Sequence, residues 1–283
     1  MNPILQKPAT WFFSDYQFKF QTYYFKILIY LFLIVKAIGW LMFYELYFGE
    51  HSFIYSRHFS VSSVKDCAFL LYANASPQLA YAFLIPLLVL CLFCLKFKRQ
   101  YFIADFLIWF LVINLNNKIY PTLTGGDYLL NQFLFFNCFL TGSFNTGKYW
   151  LLEIKIMMHN FAVVAVISQV CLVYLLSALA KCNDGAWMSG TALNEITQVK
   201  HFSLHSTGKP TTLFNPLFMF LDYLIVFYQL VFPLVVWFKR IKKPFIWVGI
   251  GMHVYIALVM GIVEFSVVML MAYIYFWPFK KTI

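Results

Sequence analysis

QVCLVYLLSALAKCNDGAWMSGTAL, residues 169–193, runs through twelve largely apolar residues into Lys181. A polar turn follows at Asn183, Asp184 and Gly185, and then come Trp187, Gly190 and Thr191-Ala192-Leu193. An apolar segment of membrane length thus delivers a single amine to its end. A lysine there is costly unless paired or hydrated, which marks it as a functional candidate. Either it reaches out to the headgroups or it serves as a general base. Pairing with Asp184 opposes base function and burial favours it. The sequence leaves the two in balance.

The rest of the chain repeats this apolar character. Of 283 residues, 62% are hydrophobic, 22% aromatic and 11% charged. A soluble domain carries roughly 25% charged residues, so a polytopic membrane protein is expected. Apolar runs near the roughly 20 residues of a bilayer crossing fall at about 25–44, 78–95, 101–120, 127–141, 159–180 and 214–238. A last stretch, Pro244 to Trp277, is about 51 Å long as one helix. Gly249, Gly251 and Gly261 are the positions where it can break. The expected fold is therefore an all-α polytopic helical bundle of about eight crossings with a broken final segment. Residues 1–24 form a cytoplasmic N-terminal segment, 25–277 the membrane domain and 278–283 a short tail. No removable signal peptide is evident in MNPILQKPATWFFSDYQ.

Charge sets the orientation. Lys96, Lys98 and Arg99, the group Lys239, Arg240, Lys242 and Lys243, the group Lys7, Lys19 and Lys26, and Lys280 with Lys281 all fall on one side if the last stretch crosses twice. The positive-inside rule then puts both termini in the cytoplasm. The expected location is a bacterial cytoplasmic (inner) membrane, with the loops holding Lys118 and Lys181 outside. The net charge of +10 is explained by this pattern, so lipid rather than nucleic acid is the acidic partner.

Further clusters bear on chemistry. In NLNNKIYPTLTGGDYLL, residues 114–130, Asn114, Asn116, Asn117 and Lys118 gather at an apolar boundary, suited to holding a polar substrate or a carboxylate. Pro121 stops the helix, Gly125-Gly126 makes a tight turn and Asp127 caps the next span. His253 lies inside an apolar run with Glu264 eleven residues on, about 16 Å away on one helix face. Lys36 and Asp105 sit near span ends, where snorkelling or capping accounts for them. His159 begins span five.

Cys91 and Cys94 form a CxxC inside LVLCLFCLKF, without the second pair a zinc site needs. They read as buried apolar thiols beside hydrocarbon. Cys67 and Cys182 fall in outer loops where a disulfide is allowed. His201 and His205 lack a third ligand nearby, so no metal site is assigned. Nucleophile-elbow, phosphate-loop and zinc-protease motifs are absent.

The series Gln169, Tyr174, Lys181, Trp187, Gly190 resembles the horizontally transferred transmembrane family, which includes vitamin K-dependent gamma-glutamyl carboxylase. Order and spacing agree up to Lys181, and one additional residue separates Lys181 from Trp187. Asn116-Asn117-Lys118 stands where the carboxylase has Asn-Asn-His. Gly125 to Asp127 and His253 also have counterparts. The lysine at 118 departs from the expected histidine, and the large domain that binds propeptides is missing.

The resemblance implies a carboxylase-like membrane enzyme acting on a secreted peptide or protein, with a quinol as cofactor. Lys181 would be the general base, with Lys118 and His253 completing the catalytic group. Asn117, Asn116, Trp187, Gln169 and Tyr174 would contact the substrate. Family members of this size that mature secreted peptide toxins imply the alternative: a non-catalytic membrane subunit or maturation factor with partner subunits.

Overall fold

The computed structural model describes residues 11–13, 15–49, 52, 78–97, 102–141, 149–198 and 216–277. Among them the regular structure is entirely helical. Besides the one-turn helix Tyr44–Tyr47 and two 3-10 turns, the helices are α1 Lys19–Met42, α2 Leu79–Phe97, α3 Phe102–Lys118, α4 Gly125–Phe139, α5 Tyr149–Cys182, α6 Gly185–Ser189, α7 Ala192–Gln198, α8 Pro216–Val235, α9 Lys242–Leu258 and α10 Val263–Ala272. Four are long and apolar enough to cross a membrane: α1, α2, α8 and Leu151–Cys182 of α5. The chain forms two compact units, Met1–Val164 and Ala165–Ile283, and the boundary falls within α5.

In unit 1, α1 packs on α2, α2 on α3 and α3 on α4. The buried stripe of α1, Phe25, Ile29, Leu33, Ala37 and Trp40, follows helical periodicity. Two ion-paired lysines lie beside it, Lys26 fully buried and Lys36 partly buried. Lys26 Nζ donates to Asp105 Oδ2 and to the carbonyls of Asn137 and Leu140, each at 2.8 Å. An ammonium has three protons, and all three are used. The two carbonyls close the C-terminal end of α4, where helix acceptors lack partners and a cation is favoured. Asp105 Oδ1 in turn accepts from Tyr30 at 2.5 Å and Asn137 Nδ2 at 2.9 Å.

Further along α1, Lys36 reaches Asp127 at 2.6 Å and lies over the Trp40 ring. Lys26 and Lys36 are ten residues apart on α1, and so are Asp127 and Asn137 on α4. Equal spacing with reversed order fixes an antiparallel pair in one register. Asp105, paired with Lys26, and Lys36, paired with Asp127, are thus ion-pair residues, not the snorkelling or capping residues expected from their positions. Lys26 likewise leaves the group of charges ahead of span one. A fully satisfied ion pair can be held in the interior where a single ion is not.

Other local expectations are corrected in unit 1. Thr124 is the N-cap of α4, and Asp127 is its capping-box partner three residues on, accepting from the Thr124 N–H at 2.7 Å. Gly125 and Gly126 therefore begin the helix rather than a tight turn. His159 does not begin a span. It lies fully buried inside α5, against the Gln17 carbonyl at 2.7 Å and accepting from the Thr141 N–H at 3.1 Å. Its neighbour Asn160 donates to the carbonyls of Phe12 and Asp15 and accepts from the Gln17 N–H. Cys91 and Cys94 are buried within the protein, not beside hydrocarbon.

In unit 2, α9 and α10 pack together, and α8 contacts α6, α7 and α9. Of the three candidate break points in the last stretch, only Gly261 breaks it. It has φ 70°, a left-handed conformation that glycine adopts without strain. Gly249 and Gly251 stay inside α9. A Cβ at Gly249 would collide with the hydroxyls of Tyr228 and Tyr273, so this glycine lets two phenols cross the backbone of α9.

Candidate functional site

The face of α5 that ends in Lys181 carries Tyr174, Ser177 and Lys181 along one stripe, as spacings of three and four require. Tyr174 is fully buried and Lys181 half-buried. The Lys181 amine donates to Ser177 Oγ at 2.7 Å and lies 4.8 Å from the centre of the Trp187 ring. No described carboxylate is within ion-pair distance of it. Asp184, the expected partner, instead caps α6 through the N–H groups of Ala186 and Trp187.

The turn that presents Trp187 is fixed from behind. Gly190 ends α6 in a left-handed conformation with Met219 of α8 packed against it. Buried Asp222 accepts from the Leu193 N–H at the start of α7. The Trp187-to-Gly190 spacing in the sequence is accounted for by this corner.

A cavity of about 130 Å³ lies against the stripe. Its polar wall is Tyr174, Ser177 and Lys181 of α5, Gln229 of α8 and His253 of α9. Val173, Ile256 and Phe265 are among its apolar residues. An apolar cavity near 150 Å³ admits a benzene-sized guest, so this one has room for a single ring and not for a peptide.

His253 Nε2 meets the Tyr174 hydroxyl at 2.7 Å. Tyr174 is hydrogen-bonded to Tyr273, and Tyr273 to Tyr228 at 3.2 Å. Tyr228 donates to the Phe245 carbonyl at 2.9 Å. The rings are packed as well as bonded: Tyr174 lies 4.3 Å from Phe232, which stacks on Tyr273. Two polar atoms of the cavity residues, His253 Nδ1 and Gln229 Oε1, are buried without a hydrogen-bond partner.

Comparison with family models, curated proteins and solved structures finds no match. The site stands on its own geometry.

That geometry brings together Lys181, His253 and Tyr174 at one cavity, with Trp187 beneath the amine. Gln169 lies about 120° around α5 from Lys181 and is not a cavity residue. Asn116, Asn117 and Lys118 belong to unit 1 at the end of α3. There Asn116 Nδ2 donates to Asn131 at 3.0 Å, and Asn114 Nδ2 to the Phe110 carbonyl at 2.8 Å. Asn116 Oδ1 is buried without a hydrogen-bond partner, and Lys118 is largely buried. Glu264 starts α10 beyond the break, so the single-helix spacing from His253 does not apply.

Cys182 carries a free thiol, while Cys67, His201 and His205 lie outside the described residues. Among the described residues no three metal-ligating side chains gather.

Sequence reasoning missed Ser177, Gln229, Tyr228 and Tyr273. Gln229 had a readable signal, as an amide inside LIVFYQLVF. The two tyrosines had none, being aromatic residues among many.

Proposed function

We propose that the protein is a membrane enzyme that performs a proton transfer in the Lys181–His253 cavity and thereby modifies a secreted peptide or protein. The carrying observation is that an amine without a carboxylate partner and a buried imidazole line one ring-sized cavity. Its dimensions suit the head of a lipid-soluble hydroxyl-bearing cofactor such as a quinol. The peptide would react at the mouth of the cavity. Asn117 and Lys118 belong to unit 1 and are not among the residues that line this cavity.

A second reading is a non-catalytic membrane subunit in the maturation of a secreted peptide toxin. The ion pairs of unit 1 favour it, because they use intramembrane charge for helix pairing. Mass spectrometry of peptides secreted by cells with and without the protein separates the two. The enzyme reading expects a covalent mass difference on a secreted peptide. A change in peptide amount with no change in mass supports the subunit reading.

The topology proposed is eight crossings by α1, α2, α3, α4, α5, α8, α9 and α10, in a bacterial inner membrane with both termini cytoplasmic. Without Lys26 the basic groups still fall on one side. A cysteine at Lys96 is expected to react with a membrane-impermeant maleimide only after permeabilisation, and a cysteine at Asn183 in intact cells. Labelling of position 96 in intact cells would reverse the orientation.

A further inference from the structure

The hydrogen-bond chain fixes the tautomer of His253. Each phenol has one proton to give. Tyr228 gives its proton to the Phe245 carbonyl, an acceptor only. The contact between Tyr228 and Tyr273 must then be filled by the Tyr273 proton. The contact between Tyr273 and Tyr174 must likewise be filled by the Tyr174 proton. Tyr174 has none left for His253, so the proton in that bond belongs to Nε2. Nδ1 is therefore a bare lone pair, buried and unpartnered, on a residue that lines the cavity. Gln229 Oε1 is a second unpartnered acceptor in the same wall. Lys181 is the opposite kind of group. Its amine donates to Ser177 and rests on the face of Trp187, an arrangement that accommodates an ammonium.

We propose that His253 Nδ1 is the base of this cavity, that the Lys181 ammonium holds the anion it creates, and that the ligand is a neutral, ring-sized molecule with at least two O–H or N–H donors. One donor gives its proton to Nδ1 and the second binds Gln229 Oε1. In the step, the ligand's O–H or N–H bond breaks and its electron pair stays on the ligand. The proton forms a new bond to Nδ1, and the anion accepts from Lys181. The imidazolium keeps its Nε2–H on Tyr174. The Phe245 carbonyl cannot take up a proton, so the phenol chain carries none away, and Nδ1 returns its proton through the cavity. Tyr174, Tyr273 and Tyr228 are positioning residues that set the tautomer, the part a carboxylate or carbonyl plays for histidine elsewhere.

This assignment rests on reading the cavity as a proton-transfer site, and two measurements keep the two ideas apart. The first needs no activity. In ¹⁵N-histidine-labelled protein in lipid nanodiscs, the His253 signals, identified by their loss in His253→Gln, are expected to show a protonated Nε2 and a bare Nδ1. Tyr273→Phe frees the Tyr174 proton for His253 and should raise the Nδ1–H population. A wild-type Nδ1–H form, or no change in Tyr273→Phe, overturns the assignment. The second uses the yield of modified secreted peptide. Arginine keeps the charge but cannot act as a base. Lys181→Arg should therefore retain measurable product, while His253→Gln loses about 100-fold or more. Inactive Lys181→Arg with active His253→Gln returns the base role to Lys181 and overturns the proposal, leaving the site intact. Wild-type yield from both variants removes the proton-transfer reading as well.

Discussion

Replacing Asp105 with alanine is expected to destabilise unit 1 by about 3–5 kcal/mol, the cost of leaving a buried cation without its partner. Lys26 is fully buried, and Asp105 is 2% exposed. Without the carboxylate, the ammonium keeps only two carbonyls, and Tyr30 and Asn137 Nδ2 lose their common acceptor. The effect should be read from thermal unfolding in nanodiscs, as an early loss of helix signal and a raised accessibility of Cys91 and Cys94 to maleimide. The double replacement Lys26→Met with Asp105→Leu tests the cause. Removing both charges also removes the uncompensated ion, so most of the lost stability should return. A single Asp105→Ala that unfolds like the parent would mean that this pair contributes nothing to the fold.

Lys181→Ala is expected to lower the yield of modified secreted peptide by at least about 100-fold, the usual loss when a group that holds charge in the reaction is removed. Abundance and insertion should stay near the parent level. Lys181 is half-buried at the C-terminal end of α5, and among the described residues its amine meets the Ser177 hydroxyl and the Trp187 ring. Its removal therefore leaves no buried charge unpaired. Immunoblotting of the membrane fraction beside the peptide measurement separates the outcomes. Full yield means that Lys181 takes no part in the reaction. A fall in abundance matching the fall in yield makes it a structural residue.

The contrast between Lys26 and Lys181 explains how much was legible. Both are lysines in apolar surroundings, and sequence treats them alike except for position. Lys181 stood out because it ends a long apolar run beside a polar turn, and its helix does end at Cys182. Lys26 falls in the sequence with the basic residues at the start of the first span, where position alone does not separate a cytoplasmic charge from a buried one. Its partners are 79 and 111 residues away in the chain, and no local pattern encodes such a distance. Gln169 is the opposite case, a residue that spacing groups with Lys181 but that does not line the cavity. Helical rotation turns it away from Lys181.

The sequence by itself determined the helical class, the apolar segments long enough to cross a membrane and a break in the last stretch, since these follow from composition, run length and glycine, all local properties. It also singled out Lys181 and His253, because a titratable group in an apolar run is conspicuous wherever the run lies. Only the tertiary structure decided what those groups face. Hydrogen bonds among α5, α8, α9 and Tyr273, the residue that follows α10, order the phenols that leave Nδ1 of His253 bare, and two ion pairs lock α1 to its neighbours. Partner choice depends on which helix faces meet, and that is settled by packing across the chain rather than by any stretch of it.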